Sequence, residues 1–159
     1  MGAGILGSAL PAIGQAAGDA REVVSTDSQG MTDGMLGASA TMIAYAIREG
    51  MTSSTEVTTA CLKRIESINP RLNAIVRVTA EQALAQAARA DAALARHGAS
   101  GPLHGVPMTL KDSIDTAGVV TTYGTNGRVA AVPTEDATVV RRLKAAGAVL
   151  LGKTNTPEL

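Results

Sequence analysis

The chain has almost no aromatic side chains and only one cysteine. In 159 residues it contains no Phe, no Trp and two tyrosines, Tyr45 and Tyr123. Because aromatic rings bury the most area per side chain, the core must be built from Ala, Val, Leu, Ile and Met, and we expect marginal stability. A single cysteine excludes an intramolecular disulfide. Cys61 lies in an apolar helical stripe, so we interpret it as core filler rather than a nucleophile.

The chain also lacks a surplus of either charge. Lys plus Arg and Asp plus Glu both number 14, giving a net charge of zero. The basic residues do not cluster, which argues against a nucleic-acid-binding surface. The two histidines and the one cysteine lack the spacing of metal ligands, so the sequence predicts neither a metal nor a cofactor.

Residues 1–35 carry no packing signal, and we predict that they form a disordered tail or the remnant of a clipped signal peptide. Residues 5–17 are apolar and resemble the later part of a secretory signal, but the first basic residue is Arg21. The apolar run is too short to span a membrane, so no membrane partner is expected. With this signal-like part at 1–17, the sequence leaves localisation open between the cytoplasm and export to the periplasm.

Helical spacing and capping residues predict the elements that follow. The apolar pattern favours a helix over 38–49, and the capping box Ser53-Ser54-Thr55-Glu56 begins a second helix, which Asn69-Pro70 ends. A strand over 74–78 precedes a long alanine-rich helix that ends before His97. The two N-terminal helices could pack as a hairpin or clasp a partner.

Two polar residues in this region are predicted to be structural. Asp91 falls within the apolar stripe of the alanine-rich helix, and a buried carboxylate needs donors or a cation. We therefore expect it to anchor a neighbouring segment. His104 precedes a glycine and is interpreted as a hydrogen-bonded structural residue.

The second half of the chain has a β-α-β order. We predict a strand over 106–110, an irregular loop with a brief edge strand at 119–122, a helix capped by Asp136, and a strand over 148–151. This order implies that the two outer strands pair in parallel, so the fold class is α/β.

Lys111 follows the 106–110 strand directly and is the candidate functional residue. A lysine at a strand end has its stem held by the sheet, and partial burial of the ammonium favours the neutral amine, which can act as a base. The alternative is a surface lysine whose head group lies in water.

Several motifs in this half resemble the amidase signature enzymes. They are Gly101-Pro102-Leu103-His104-Gly105-Val106-Pro107 with Lys111-Asp112, Thr121-Thr122-Tyr123-Gly124, Asp136-Ala137-Thr138-Val139-Val140, Ala146-Gly147-Ala148 and Gly152-Lys153-Thr154-Asn155. Their order and spacing match the family from about Gly37 to Leu159. The resemblance implies that residues 36–159 are the N-terminal part of an amidase-signature domain. It also implies an incomplete fold, with N-terminal helices followed by part of a mixed β-sheet flanked by helices.

The resemblance further implies a hydrolase that cleaves small or aryl amides with a Ser-Ser-Lys triad. Lys111 matches the lysine of that triad, and the long loop after it would wall the substrate cleft. In the family both serines lie downstream of the motif that ends here at Asn155, and this chain stops at Leu159. We therefore expect this stretch to need the missing C-terminal portion of its own chain and to be inactive alone.

Three alternatives stay open. The first is a tRNA-dependent amidotransferase subunit of the same family; Tyr123-Gly124 and Asn155-Thr156-Pro157-Glu158 instead favour a stand-alone amidase. Residues Gly147 to Thr154 fit the phosphate-loop pattern and would make a nucleotide-binding module, but the Val-Leu-Leu interior favours a strand over a flexible loop. The helix pair of residues 38–68 could serve as a non-catalytic interaction piece.

Overall fold

Four helices and a three-stranded sheet make up the part of the chain that the structure describes. In this computed structural model the described residues are 34–158, so the expectations for the tail up to residue 33 lie outside them. The elements are α1 (Ala40–Arg48), α2 (Ser54–Leu72), β1 (Ile75–Val78), α3 (Ala80–His97), β2 (Pro107–Lys111), α4 (Thr138–Ala145) and β3 (Val149–Thr154), with a short 3-10 turn at Asn126–Arg128. The predicted α/β class is confirmed. Within residues 34–158, no helix has the length and apolar character needed to cross a bilayer.

The sheet has the strand order β1-β3-β2 and mixes the two pairing directions. β2 pairs in parallel with β3, and β1 pairs with β3 antiparallel. The parallel pair confirms the prediction from the β-α-β order, since α4 connects the two strands. β3 runs to Thr154, three residues beyond the predicted end, and every residue from Val149 to Lys153 is buried. β3 is therefore the central strand of the sheet.

Apolar side chains pack on both faces of β3. On one face Ala83 and Ala87 of α3 contact Val149 and Leu151, with Cys61, Leu62 and Ile65 of α2 packed beside them. On the other face Leu110, Val119, Val140 and Leu150 form a second cluster. Cys61 is thus core filler, as predicted, and burial raises the pKa of its thiol.

The first turn of α2 is held by two sets of hydrogen bonds. In the predicted capping box, Ser53 Oγ accepts from the Glu56 amide at 3.0 Å, and the Glu56 carboxylate accepts from the Ser53 amide at 2.8 Å. The Asp91 carboxylate of α3 accepts from the Ser54 and Thr55 amides at 2.7 and 3.0 Å and from the Thr55 hydroxyl. Asp91 is therefore the structural anchor that the sequence predicted, and it binds a helix N-terminus.

The predicted end of α2 at Asn69-Pro70 is wrong, because the helix includes Pro70 and continues to Leu72. A proline in the last turn forfeits only one helical hydrogen bond. The turn is closed by Asn73 in the left-handed conformation and by the Asn69 side chain, which bonds both backbone groups of Ile75 at 2.8 Å. These contacts outweigh the effect of Pro70.

Two predictions in the second half of the chain are also wrong. Asp136 does not cap α4, whose N-cap is Ala137; its carboxylate instead accepts from the Ala117 amide and from Lys144 Nζ, both at 2.8 Å. Residues 119–122 form no strand, and the only ladder contact there is a single bridge between Thr116 and Val119. The loop amides of Ala117 and Thr122 donate to carboxylates, and those of Val119 and Thr121 donate to the carbonyls of Thr116 and Ala131.

Replacing Asp91 with Ala should lower the free energy of unfolding by about 2 kcal/mol, because three donors at the start of α2 lose their acceptor. Chemical denaturation of the chain measures this change. Asp91→Asn keeps one acceptor oxygen and should cost less. Arg89→Ala, at an exposed position of the same helix, should change stability by less than about 0.5 kcal/mol. Equal losses in Asp91→Ala and Arg89→Ala would contradict the anchoring role.

The stability of the chain should depend on the ionisation of Asp136. Burial raises the pKa of this carboxyl, but hydrogen bonds from Lys144 and the Ala117 amide outweigh that effect and hold the pKa below its ordinary value of 3.8. Because the folded-state pKa is the lower one, ionised Asp136 stabilises the fold above pH 3.8, and this contribution is lost as the pH falls through the folded-state pKa.

Unfolding free energies measured from neutral to acidic pH check this expectation. Asp136→Asn should be less stable than the parent at neutral pH, and the difference should shrink in acid. Glu135→Gln removes an exposed neighbouring acid and should leave the acid dependence of the parent in place. A constant difference between Asp136→Asn and the parent at every pH would refute the assignment.

Candidate functional site

The carboxyl ends of the parallel strands β2 and β3 meet at one edge of the sheet. Lys111, the last residue of β2, pairs in register with Thr154, the last residue of β3. In open α/β sheets, ligands bind beyond the carboxyl ends of the strands. This edge, together with the loop of residues 112–136 that leaves from it, is therefore the candidate site.

The backbone around Lys111 is fixed on both sides. The Lys111 carbonyl accepts from the Ile114 amide at 3.0 Å, and the next amide, that of Asp112, donates to the Thr154 carbonyl at 2.9 Å. Lys111 thus lies at a strand end, as predicted. Its side chain is exposed, and no hydrogen bond or ion pair to its ammonium occurs within residues 34–158. The partial burial that a base would need is not supplied by the described residues.

Asp112, which follows Lys111, ties the returning end of the loop to the strand. Its side chain is almost completely buried. One carboxylate oxygen accepts from the amide and the hydroxyl of Thr122, and its carbonyl accepts from the Tyr123 amide at 3.2 Å. The outgoing and returning parts of the loop are therefore joined directly beside Lys111.

Lys153 occupies the interior beneath this loop. It is fully buried, as are Thr116 and Thr121. Lys153 Nζ donates to the Ile114 carbonyl, to Thr121 Oγ1 at 2.9 Å and to Thr116 Oγ1 at 3.3 Å. An ammonium group has three donors, so all of its hydrogen-bonding capacity is used inside the protein.

The electrostatics of Lys153 reflect this burial. Desolvation lowers the pKa of the Lys153 ammonium, and the negative charges of Asp112 and Asp115 only partly oppose it. No carboxylate pairs with Lys153 directly among the described ion pairs. The two lysines near this sheet edge therefore have opposite surroundings: Lys111 is exposed to solvent, and Lys153 is fully buried.

The buried position of Lys153 and of its strand argues against a phosphate loop at residues 147–154. A phosphate loop needs a flexible segment whose amides point at the ligand, whereas residues Val149–Thr154 are a buried strand. The lysine of the pattern, Lys153, is bound to protein oxygens and has no path to a nucleotide. From the sequence alone, Lys153 is a functional candidate only as the lysine of the phosphate-loop pattern; the signal for its buried position is a lysine inside an otherwise apolar strand.

The outer part of the loop packs around Tyr123. Tyr123 and Gly124 both have positive φ, 55° and 73°, and a side chain at Gly124 would collide with the Pro157 carbonyl, 2.7 Å from its Cβ position. The Arg128 guanidinium lies 4.6 Å from the centre of the Tyr123 ring, a cation–π distance. The loop thus forms a fixed wall next to the strand ends.

His104 is structural, as predicted. Its ring is buried; Nδ1 accepts from the Ser100 amide at 3.0 Å, and Nε2 is 3.0 Å from the Ala90 carbonyl. An accepting Nδ1 places the proton on Nε2, which donates to Ala90. Within residues 34–158, no group of His, Cys, Asp and Glu side chains is arranged to hold a metal ion.

Comparison with known proteins identifies the family. The family model described as Amidase matches residues 56–159. A glutamyl-tRNA(Gln) amidotransferase subunit of Halorhodospira halophila is 53% identical over 116 residues, which are 73% of this chain and 24% of that protein. The indoleacetamide hydrolase of Bradyrhizobium diazoefficiens is 44% identical over 120 residues, 76% of this chain and 23% of that protein.

The fold agrees with these relatives. The crystal structure of the peptide amidase from Stenotrophomonas maltophilia superposes with a TM-score of 0.73 at 37% identity, covering 78% of this chain and 26% of that one. The chain spans about a quarter of the length of the relatives it matches. With a family model matched over most of its length, the chain belongs to the Amidase family.

Proposed function

We propose that this chain is the N-terminal part, residues 36–159, of an amidase that hydrolyses a carbon–nitrogen amide bond and that Lys111 is its general base. The observation that carries the proposal is the placement of Lys111. It stands at the carboxyl end of β2 with a fixed backbone and an unpaired ammonium among the described residues. Family membership supplies the reaction class, since the relatives include a hydrolase of indoleacetamide and a peptide amidase.

In the proposed reaction the neutral Lys111 amine accepts a proton through a bridging serine from a second, nucleophilic serine. That serine attacks the amide carbonyl, and the amine leaves with a proton to give an acyl-enzyme. Water then attacks the ester, and the carboxylic acid is released. By the family resemblance, both serines would lie downstream of Asn155, in a C-terminal portion of the kind that the longer relatives have.

In this proposal the C-terminal portion of the amidase also has to bury Lys111. A lysine exposed to water is mostly protonated at neutral pH, whereas partial burial favours the neutral amine. Lys111 is exposed among residues 34–158, so the remaining part of the domain must cover it. We propose that the partners of this chain are that C-terminal portion and a small amide substrate, with no nucleic acid and no membrane.

The Lys111→Ala substitution should abolish the activity of the proposed amidase without destabilising the 159-residue chain. Removing the base should lower kcat/KM of the amidase for a chromogenic anilide by about 10³-fold. The free energy of unfolding of the 159-residue chain, in which Lys111 is exposed, should change by less than about 0.5 kcal/mol, because the side chain has no partner among the described residues. Steady-state kinetics and rapid-quench detection of the acyl-enzyme measure the loss, and thermal denaturation measures the stability.

Lys63→Ala is the matched control, because Lys63 is an exposed lysine in the middle of α2. It should retain the full turnover rate. An unaltered acylation rate in Lys111→Ala would remove Lys111 from the mechanism.

A second candidate is supported by the relatives that belong to glutamyl-tRNA(Gln) amidotransferases, one of them 53% identical. In that case the same amide chemistry would operate inside a multisubunit enzyme. The two candidates differ in what the purified protein does alone. A stand-alone amidase releases ammonia or amine from simple amides without another protein, whereas an amidotransferase component would require its partners for turnover.

A further inference from the structure

Lys153 is the buried charged group that the proposed mechanism does not use. Burying an ammonium without a carboxylate partner is costly, and its hydrogen bonds must offset that cost. The hydroxyls of Thr116 and Thr121 are oriented for this purpose. Each hydroxyl donates its own proton to a carbonyl, of Ile114 and Val119 respectively, at 3.1 Å, which leaves its lone pairs available to Lys153.

The contacts of Lys153 all lie in the loop that follows Lys111. Ile114 is the residue whose amide closes the turn onto the Lys111 carbonyl, and its own carbonyl accepts from Lys153 Nζ. Thr121 precedes Thr122, whose backbone and hydroxyl bind the Asp112 carboxylate. The ammonium therefore fixes both the outgoing and the returning parts of the loop.

The register of the sheet determines how Lys153 can influence Lys111. Lys153 pairs with Leu110, and Thr154 pairs with Lys111. Because successive side chains of a strand point to opposite faces, Lys153 faces the loop while Lys111 points away from it. The ammonium therefore acts on Lys111 through the backbone of the 111–114 turn, where the Ile114 amide donates to the Lys111 carbonyl.

We propose that Lys153 is a positioning residue for Lys111: its ammonium fixes the turn and the loop of residues 112–121, and this holds the Lys111 side chain in its reactive position at the sheet edge. The proposal rests on the proposed function, in which Lys111 is the base. It assigns a role to the lysine of the 147–154 pattern that is unrelated to phosphate.

Two variants test the proposal. Lys153→Met keeps the length of the side chain and removes the ammonium, and Thr121→Val removes one acceptor while keeping the shape. The second variant serves if the first does not fold. Lys63→Met and Thr134→Val, both at exposed positions, are the matched controls, and Thr134 lies in the same loop.

The first measurement is backbone amide hydrogen exchange on the chain, which requires no activity. The Ile114 and Tyr123 amides should exchange at least about tenfold faster in Lys153→Met and in Thr121→Val, because the loop opens more often. Amides in the middle of α3 should keep their rates. Unchanged exchange at Ile114 and Tyr123 in a folded variant would overturn the proposal.

The second measurement is steady-state kinetics of the same variants in the proposed amidase. Misplacing the base should lower kcat by about tenfold to a hundredfold and leave KM within about twofold of the parent value. Faster exchange with an unchanged kcat would show that Lys153 is only structural and would overturn the positioning role. Turnover that survives Lys111→Ala would instead refute the proposed function, so the two failures are distinguishable.

Discussion

The hydrogen bonds of the Lys153 ammonium are the interaction on which the candidate site depends. A fully buried lysine donates to three oxygens of a loop that contains no strand and no helix longer than its short 3-10 turn. The loop in turn meets the end of β2 through Asp112 and Ile114. Without the ammonium, the hydroxyl oxygens of Thr116 and Thr121 would lose their donor. The Ile114 carbonyl would keep only the Thr116 hydroxyl, and only Asp112 and the Ile114 amide would tie the loop to the end of β2.

The alternation of side chains along paired strands gives the two lysines of this edge different chemistry. Lys153 points to the loop and is sealed, and Lys111, one register position further along, points to solvent. A fully buried lysine can hold a loop in place through its hydrogen bonds, whereas an exposed lysine at a strand end can contact a ligand. The chain spans about a quarter of the length of its relatives, and in the proposed function the remainder covers Lys111.

Local signals predicted the framework of this structure well. The capping box at Ser53, the anchoring carboxylate of Asp91 and the parallel pairing of β2 with β3 follow from spacing alone. The predictions at Pro70 and Asp136 were wrong because side chains there form hydrogen bonds that the sequence pattern does not reveal. The role of Lys153 depends on a loop about 35 residues earlier in the chain, so the sequence pattern could indicate only a strand or a phosphate loop. The role of Lys111 as a base stays a prediction.

NMR observation of the lysine ammonium groups tests the sealed state of Lys153 most directly. The chain has four lysines, so nitrogen-15 labelling of their side chains gives a spectrum that single substitutions can assign. The account predicts that the Lys153 ammonium protons exchange slowly with water at neutral pH and give a persistent signal, while those of Lys111 and Lys63 exchange too fast to be seen. A Lys153 signal that is absent under conditions where the protein is folded would contradict the account.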